Sequence, residues 1–244
     1  MRRPVHTKPM VPSVPEHLTI AVDAATPVSG LLLHPTQADA CLVFAHGAGA
    51  GMDHPFMAAV ARELAMRRIA TLRYQFPYME NRGKRPDPPH VCHATVRAAV
   101  AAARQRLPAT PLVAGGKSFG GRMTSQAQAE APLPDVRGLV FFGFPLHPPK
   151  QPSDARAQHL FDIKIPLLFL QGTRDTFAEM PLLQPLLHAL GNRATAILIE
   201  DADHSFHVPA RSGRSDAQVL IQLVDSLAAW TGSVIAGSPV STNP

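Results

Sequence analysis

Cysteine and aromatic residues are scarce in this sequence. Only two of its 244 residues are cysteines, Cys41 and Cys92, and 6% are aromatic. Two cysteines without a CxxC spacing exclude a disulfide framework and a zinc site built from cysteine pairs. Both stand in apolar surroundings, which is typical of free cysteines buried as small core residues.

Charged residues are few, and the basic ones are scattered. Lys, Arg, Asp and Glu together make up 17% of the chain, with a net charge of +5. A nucleic-acid-binding domain usually concentrates its basic residues on one face, often between aromatic side chains. Here the one local concentration is Arg82, Lys84 and Arg85, in a proline-rich stretch. We therefore expect no nucleic-acid partner and attribute the charge to solubility.

Long apolar runs are also missing. Two arginines follow Met1, but prolines interrupt the first fifteen residues where a signal peptide would be apolar. No segment approaches the ~20 apolar residues of a membrane span. We therefore expect no membrane partner and a cytoplasmic location. Residues 1–16, rich in proline, and 232–244, rich in glycine, serine and proline, are predicted to be flexible tails.

Short apolar runs alternate with helical segments between these tails. A chain of this length fits one large domain, which we place at residues 17–231. The alternation predicts the α/β class, with a mostly parallel sheet covered by helices on both faces. Strands are predicted at 17–23, 28–35, 40–47, 68–76, 111–116, 136–144, 165–172 and 194–200, and helices at 55–67, 90–106, 119–131, 180–190 and 215–230. Residues 77–89 are predicted to be a proline-rich loop.

The segment PLVAGGKSFGGR, residues 111–122, is compatible with two kinds of chemistry. Gly116-Lys117-Ser118 resembles the end of a phosphate-binding loop, which needs another glycine five residues before Gly116. That position holds Pro111, which has no N–H and a fixed φ. The residues before it have a helical composition where such a loop needs a strand. The phosphate-binding interpretation therefore fails.

Gly116-x-Ser118-x-Gly120 fits a nucleophile elbow instead. In this motif a strand turns sharply into a helix, and the turn exposes the serine Oγ. Small residues are needed two positions before and after the serine, because side chains there would collide. The apolar run Leu112–Ala114 leads directly into the turn. We therefore predict Ser118 to be a nucleophile.

A serine nucleophile needs a base, and the base needs an acid that orients it. In chain order Ser, Asp, His, Asp175 follows one predicted strand and His204 follows the next. His207 is the neighbouring alternative for the base, and Asp201 or Asp203 for the acid. These four residues near position 204 could also suit a metal ion, but they lack a recognisable ligand frame. We predict no metal and no cofactor.

Backbone N–H groups must also stabilise the oxyanion that forms during acyl transfer. One donor is expected from Phe119, directly after the nucleophile, and the other from the glycine-rich segment HGAGAGMDHPF. We assign the second donor to Ala48, with Gly49 as the alternative. Gly47-x-Gly49 before a helix also resembles the start of a dinucleotide-binding fingerprint. That fingerprint needs a third glycine at position 52, which is Met52, and an acidic residue near position 71, which is Thr71. We therefore reject the dinucleotide-binding interpretation.

Several segments in this order resemble the α/β-hydrolase superfamily. They are FAHGAGAGMDHPFM, LRYQFPYME, GGKSFGGRM, FFGFPLHPP, LFLQGTRDTF and DADHSF. More narrowly, the chain is similar to a branch of small predicted hydrolases related to the dienelactone hydrolases and to the eukaryotic Tex30 and KANSL-3 proteins. The resemblance implies an eight-stranded sheet with one antiparallel strand near its start, and Ser118, Asp175 and His204 as nucleophile, acid and base. Dienelactone hydrolases carry a cysteine nucleophile, so their substrate is not carried over.

These observations favour a serine hydrolase of small acyl esters. The short connection after Gly143 predicts little or no cap domain and an open cleft. Aromatic and other side chains in loops flanking the catalytic ones are candidate pocket residues: Met52, Tyr74, Phe76, Phe144, His147, Phe177 and Phe206. Amidase, thioesterase and peptidase chemistry use the same residues. A binding or scaffold protein that keeps the fold without the chemistry is the alternative from a different class.

Overall fold

The computed structural model describes residues 14–237, which form one eight-stranded sheet in the order β1-β2-β4-β3-β5-β6-β7-β8. The strands are β1 (Glu16–Ala21), β2 (Pro27–Leu33), β3 (Ala40–Ala45), β4 (Ile69–Tyr74), β5 (Leu112–Lys117), β6 (Val136–Phe142), β7 (Leu167–Gly172) and β8 (Ala194–Ile199). β2 is antiparallel to both its neighbours, and the pairs from β4 through β8 are parallel. The α/β class and the mostly parallel eight-stranded sheet are therefore confirmed.

Helices cover both faces of the sheet because the central strands are apolar on both sides. The helices are α1 (Pro55–Met66), α2 (Pro77–Glu80), α3 (Pro89–Arg106), α4 (Phe119–Glu130), α5 (Met180–Leu190) and α6 (Asp216–Ala236). Helices α3, α4 and α5 contribute side chains to the apolar cluster on one face, and α1 and α6 to the cluster on the other. Short 3-10 helices lie at Ala155–Asp162, Gly191–Arg193 and Ala210–Ser212.

Two segments that composition assigned to loops contain helical turns. The predicted loop 77–89 begins with α2, where Pro77 occupies the first helical turn, a position that tolerates its missing N–H. The connection between β6 and β7 holds the 3-10 helix Ala155–Asp162, and within the described residues it holds no further domain.

The ordered chain extends beyond the predicted end of the domain. Helix α6 continues to Ala236 and ends at Gly237, whose φ of 68° is the left-handed conformation common after a helix. Val234 and Ile235 pack against the apolar cluster under this helix, and this packing outweighs the Gly/Ser composition on which the tail was predicted. At the other end, β1 already includes Glu16. The remainder of both predicted tails, 1–13 and 238–244, lies outside the described residues.

Helix α6 is long and apolar enough, by length and composition alone, to cross a membrane. The sequence prediction that no such stretch exists is therefore corrected. Five of its side chains nevertheless lie in the core: Val219, Leu223, Val224, Leu227 and Trp230. Helix α6 packs against one face of the sheet through these side chains. Core helices of soluble proteins can have the same length and composition.

Candidate active site

Ser118 occupies a strained turn between β5 and α4. Its φ of 50° and ψ of −113° lie outside the regions that non-glycine residues usually adopt. A Cβ at Gly116 would lie 2.5 Å from the Ala45 carbonyl oxygen, and one at Gly120 would lie 2.5 Å from that of His46. The turn therefore needs glycine on both sides, where the sequence motif places it.

Ser118 and His204 are hydrogen-bonded, and His204 is bonded to Asp175. Ser118 Oγ lies 2.8 Å from His204 Nε2, and His204 Nδ1 lies 2.7 Å from Asp175 Oδ2. The carboxylate of Asp175 is buried. It accepts the Nδ1–H proton, which leaves Nε2 free to accept from the serine hydroxyl. The three residues come from loops after β5, β7 and β8, at the carboxyl edge of the sheet.

Further contacts hold Asp175 in place. Its Oδ2 accepts a hydrogen bond from Gln171 Nε2 at 2.5 Å, and its Oδ1 accepts one from the backbone N–H of Phe177 at 2.8 Å. The Phe177 ring packs on the imidazole of His204, with 4.4 Å between ring centroids. Gln171 is fully buried in β7, and a polar residue in an otherwise apolar strand is the signal that sequence reasoning missed.

The alternative residues near His204 have other contacts. Asp203 Oδ1 accepts from the backbone N–H groups of Ser205 and His207, which shapes the loop that carries His204. The imidazole of His207 is exposed and pairs with Asp216, which raises the pKa of His207. The backbone N–H of Asp201 donates to Thr173 Oγ1. Of the three candidate acids, the structure brings only Asp175 to His204.

A second serine–histidine pair joins α4 to the 3-10 helix between β6 and β7. Ser125 Oγ is 2.7 Å from His159 Nε2, but it also donates to the carbonyl oxygen of Arg122. Ser125 is fully buried within the helix. Burial lowers the pKa of His159 to about 4, and within residues 14–237 no carboxylate pairs with it. This pair lacks both the exposed turn and the orienting acid of Ser118 and His204.

The glycine-rich loop after β3 faces the Ser118 turn. The backbone N–H groups of Ala48 and Phe119 have no acceptor among residues 14–237, whereas the N–H of Gly49 is 3.4 Å from Tyr78 Oη. Ala48 and Phe119 are thus free to bind an oxygen, and Gly49 is the less available of the two loop candidates.

Buried His46 fixes the start of this loop. Its Nδ1 lies 2.8 Å from the carbonyl oxygen of Gly47, and its Nε2 accepts the backbone N–H of Phe76. Burial lowers the pKa of His46 to about 4. The neutral ring therefore joins the loop after β3 to the residues that follow β4.

Lys117, directly before the serine, extends toward the loop that carries His204. Its Nζ donates to the carbonyl oxygen of His204 at 2.5 Å and lies 5.2 Å from the centroid of the Phe206 ring. Burial lowers the pKa of Lys117 to about 8, while Asp175 and Asp203 act in the opposite direction. Lys117 therefore ties the strand carrying the serine to the loop carrying the histidine.

Two open cavities meet at Ser118. The first has a volume of about 330 Å³ and lies between the segment 47–57 and the loop 204–205. The second, of about 370 Å³, lies between residues 86–89 and helix α4. Ala48, Ser118 and Phe177 line both.

Only one of the predicted pocket residues lines these cavities, and it is Phe177. Tyr74, Phe76, Phe144 and His147 are fully buried, and Met52 and Phe206 nearly so. Aromatic residues just beyond strand ends turned inward, where Phe76 packs on Phe119 and Phe144 on Phe141. The walls consist mainly of residues not predicted, including His54, Phe56, Met57, Lys117, Arg122, Met123, Arg156 and Ser205.

Solved structures share this fold at low sequence identity. A dienelactone hydrolase from Anabaena variabilis is 21% identical with a TM-score of 0.71, and the match covers 91% of this chain and 97% of that one. A serine hydrolase without a lid from Xanthomonas campestris is 20% identical with a TM-score of 0.69, covering 96% and 100%. The esterase domain of a Rhodothermus marinus protein is 16% identical with a TM-score of 0.69, covering 90% and 98%.

These structural matches support the fold, while the narrower branch inferred from the motifs remains a prediction. The family model described as "Alpha/beta hydrolase domain" matches residues 38–232. This range extends from just before β3 into the last helix and includes every residue of the site. Since the match covers well over half of the chain, the protein belongs to the α/β hydrolases.

Proposed function

We propose that the protein is a serine hydrolase that cleaves small acyl esters through an acyl-enzyme. The observation that carries the proposal is the continuous hydrogen-bonded chain from Ser118 through His204 to Asp175, opening into two cavities. The proposed substrate is a small molecule, with no nucleic acid or membrane as partner and no cofactor, and the proposed location is cytoplasmic.

In the first half of the reaction, Ser118 Oγ attacks the ester carbonyl carbon while His204 Nε2 takes the hydroxyl proton. Asp175 keeps Nδ1 protonated and stabilises the imidazolium that forms. The backbone N–H groups of Ala48 and Phe119 donate to the oxyanion. His204 then returns the proton to the leaving alcohol, and the acyl group remains on Ser118.

In the second half, water attacks the acyl carbonyl carbon and His204 Nε2 takes a proton from it. Collapse of the second tetrahedral intermediate breaks the bond to Ser118 Oγ. The proton passes to the serine, and the carboxylic acid leaves. Each donor to the oxyanion contributes on the order of 10²–10³ in rate in comparable sites.

The proposal is tested by incubating the protein with a fluorophosphonate probe and locating the label by mass spectrometry. We expect labelling at Ser118 that disappears in the Ser118→Ala variant. Ser125→Ala is the matched control, because it removes the serine of the other serine–histidine pair, and it should leave the labelling of Ser118 in place.

Labelled protein is then compared on ester, thioester and amide substrates, which distinguishes the proposed esterase from the other acyl-transfer activities that use the same residues. Absence of labelling in folded protein would contradict the proposal. It would favour the alternative of a binding or scaffold protein that does not use the site.

A further inference from the structure

We propose that the second cavity is a subsite for an anionic group of the substrate, held by Arg122 and Arg156. The inference rests on the proposed function, because it names the substrate class of the same site: esters that carry a carboxylate or phosphate close to the scissile bond.

Both arginines line the second cavity, which Ser118 also lines. Arg122 lies on α4, four residues after Ser118, and Arg156 lies on the 3-10 helix between β6 and β7. Both line the cavity of about 370 Å³ that also contacts Ser118 and Phe119. A group bound by these guanidinium groups would therefore lie in the same cavity as the serine.

Neither guanidinium has a hydrogen-bond or ion-pair partner in the part of the chain that the structure describes. Within residues 14–237 no carboxylate oxygen lies within 4 Å of either one, and neither side chain donates a hydrogen bond. Arg122 Nε is buried without an acceptor. Arg73, whose Nε is also buried without an acceptor, donates to a backbone carbonyl through another nitrogen. Arg122 makes no such hydrogen bond to a backbone carbonyl.

The surroundings compensate this positive charge only in part. Burial lowers the pKa of Arg122, and the charge of Arg156 lowers it further. The nearby His159 is neutral, and Arg122 helps to depress its pKa. Asp87 also lines the cavity, and its Oδ2 accepts from the backbone N–H of Tyr78, but within residues 14–237 it forms no ion pair with either arginine. The second cavity therefore presents unpaired positive charge beside the serine.

Partly buried charges without partners are costly, and an anion entering from solvent would offset that cost. Guanidinium groups bind carboxylate and phosphate oxygens through paired, charge-assisted hydrogen bonds. Phe119, whose ring centroid is 5.8 Å from Arg122 Cζ, supplies an apolar surface beside the charge. A short ester with an anionic group on its acyl or its alcohol part matches this combination.

The test compares matched anionic and neutral esters. The acyl side is tested with the mono-4-nitrophenyl ester of glutarate against 4-nitrophenyl valerate, and the alcohol side with 4-acetoxybenzoate against phenyl acetate. The quantity measured is the anionic-to-neutral ratio of kcat/KM. Arg122→Gln and Arg156→Gln should each lower this ratio on the order of 10–100-fold for the pair that fits. Arg122→Lys should restore part of it.

Arg137→Gln is the matched control, because it removes one positive charge from an exposed position outside both cavities. An unchanged ratio in both arginine variants, for both ester pairs, would overturn the proposal. So would an equal fall in Arg137→Gln, since that would assign the effect to net charge. Circular dichroism of each variant excludes unfolding as the cause.

A binding measurement separates failure of this inference from failure of the hydrolase proposal. Calorimetric titration of Ser118→Ala with glutarate, and in parallel with inorganic phosphate, reports on the subsite without turnover and shows which anion it prefers. Affinity that falls at least tenfold when Arg122→Gln is added supports the subsite even if no ester is cleaved. Absence of binding of both anions, in protein that hydrolyses neutral esters, overturns the subsite and leaves the hydrolase intact.

Discussion

Asp175 is one of three carboxylates that the sequence offered as the acid that orients His204, and its role is testable. In Asp175→Asn the negative charge that stabilises the imidazolium is lost, and the amide NH2 group can donate to His204 Nδ1, which favours the unreactive tautomer. We expect kcat/KM for an ester to fall about 10⁴-fold, as for the equivalent change in comparable sites. The measurement is a steady-state assay with a 4-nitrophenyl ester, together with the rate of fluorophosphonate labelling.

Asp203→Asn is the control, since Asp203 binds backbone N–H groups of the loop that holds His204. An amide oxygen can accept the same bonds, so this variant should keep kcat/KM within several-fold of the original. Full activity in Asp175→Asn combined with a large loss in Asp203→Asn would move the acid to Asp203.

Single residues were predictable where chemistry demands a residue type at a strand end. Ser118, Asp175 and His204 meet that demand, and the structure brings them within hydrogen-bonding distance. The cavity walls were not predictable, because whether a side chain beyond a strand faces the cleft or the core depends on tertiary packing. Tyr74 turned inward, while Arg122, on an apparently ordinary helix, lines a cavity.

At the scale of elements, the turn between β5 and α4 is the most tightly constrained. A Cβ at Gly120 would lie 2.5 Å from the carbonyl oxygen of His46 and 2.7 Å from that of Ala45. Both contacts are with backbone atoms, so relieving them would require a shift of the main chain. Gly120→Ala should therefore lower the free energy of unfolding by at least about 2 kcal/mol, measured by urea denaturation.

Gly232 provides the matched glycine. It lies within α6, is exposed, and a Cβ there would meet no atom within 4 Å. Gly232→Ala should raise the free energy of unfolding by about 0.5–1 kcal/mol, because alanine loses less backbone entropy in a helix. Equal effects of the two substitutions would contradict the assignment of the cost to backbone crowding.

Elements were predictable where an apolar run or a helical period extends over a whole segment. All eight strands fall within or close to the predicted ranges, and the buried parallel strands among them are short and apolar. Helix α2 was missed because proline-rich composition obscures a single turn. The end of α6 was missed because Val234 and Ile235 pack against side chains distant in sequence, a contact that local composition does not reveal.

At the scale of the whole molecule, Lys117 makes folding stability depend on pH. Its pKa is lowered from 10.5 in the unfolded chain to about 8 in the folded protein. Between these values the unfolded chain binds more protons, so its contribution to stability rises with pH. We compare the unfolding free energy of the original protein with that of Lys117→Met. The difference between the two should shift in favour of the original protein by on the order of 1–3 kcal/mol between pH 7 and pH 10.5.

Urea denaturation of both proteins at several pH values measures this difference. Lys164→Met is the control, because Lys164 is exposed and its removal should leave the pH dependence of stability unchanged. A difference between the original protein and Lys117→Met that is constant from pH 7 to pH 10.5 would contradict the expectation.

The two cavities have separate walls except for Ala48, Ser118 and Phe177. The wall of the first cavity comes largely from the loops after β3 and β8, and that of the second from the segment before α3, the first turns of α4 and the connection after β6. Mutations that reshape one wall therefore leave most of the other intact. In evolutionary terms, such a molecule is modular: selectivity for the two halves of a substrate could diverge independently, without disturbing the hydrogen-bonded residues between them.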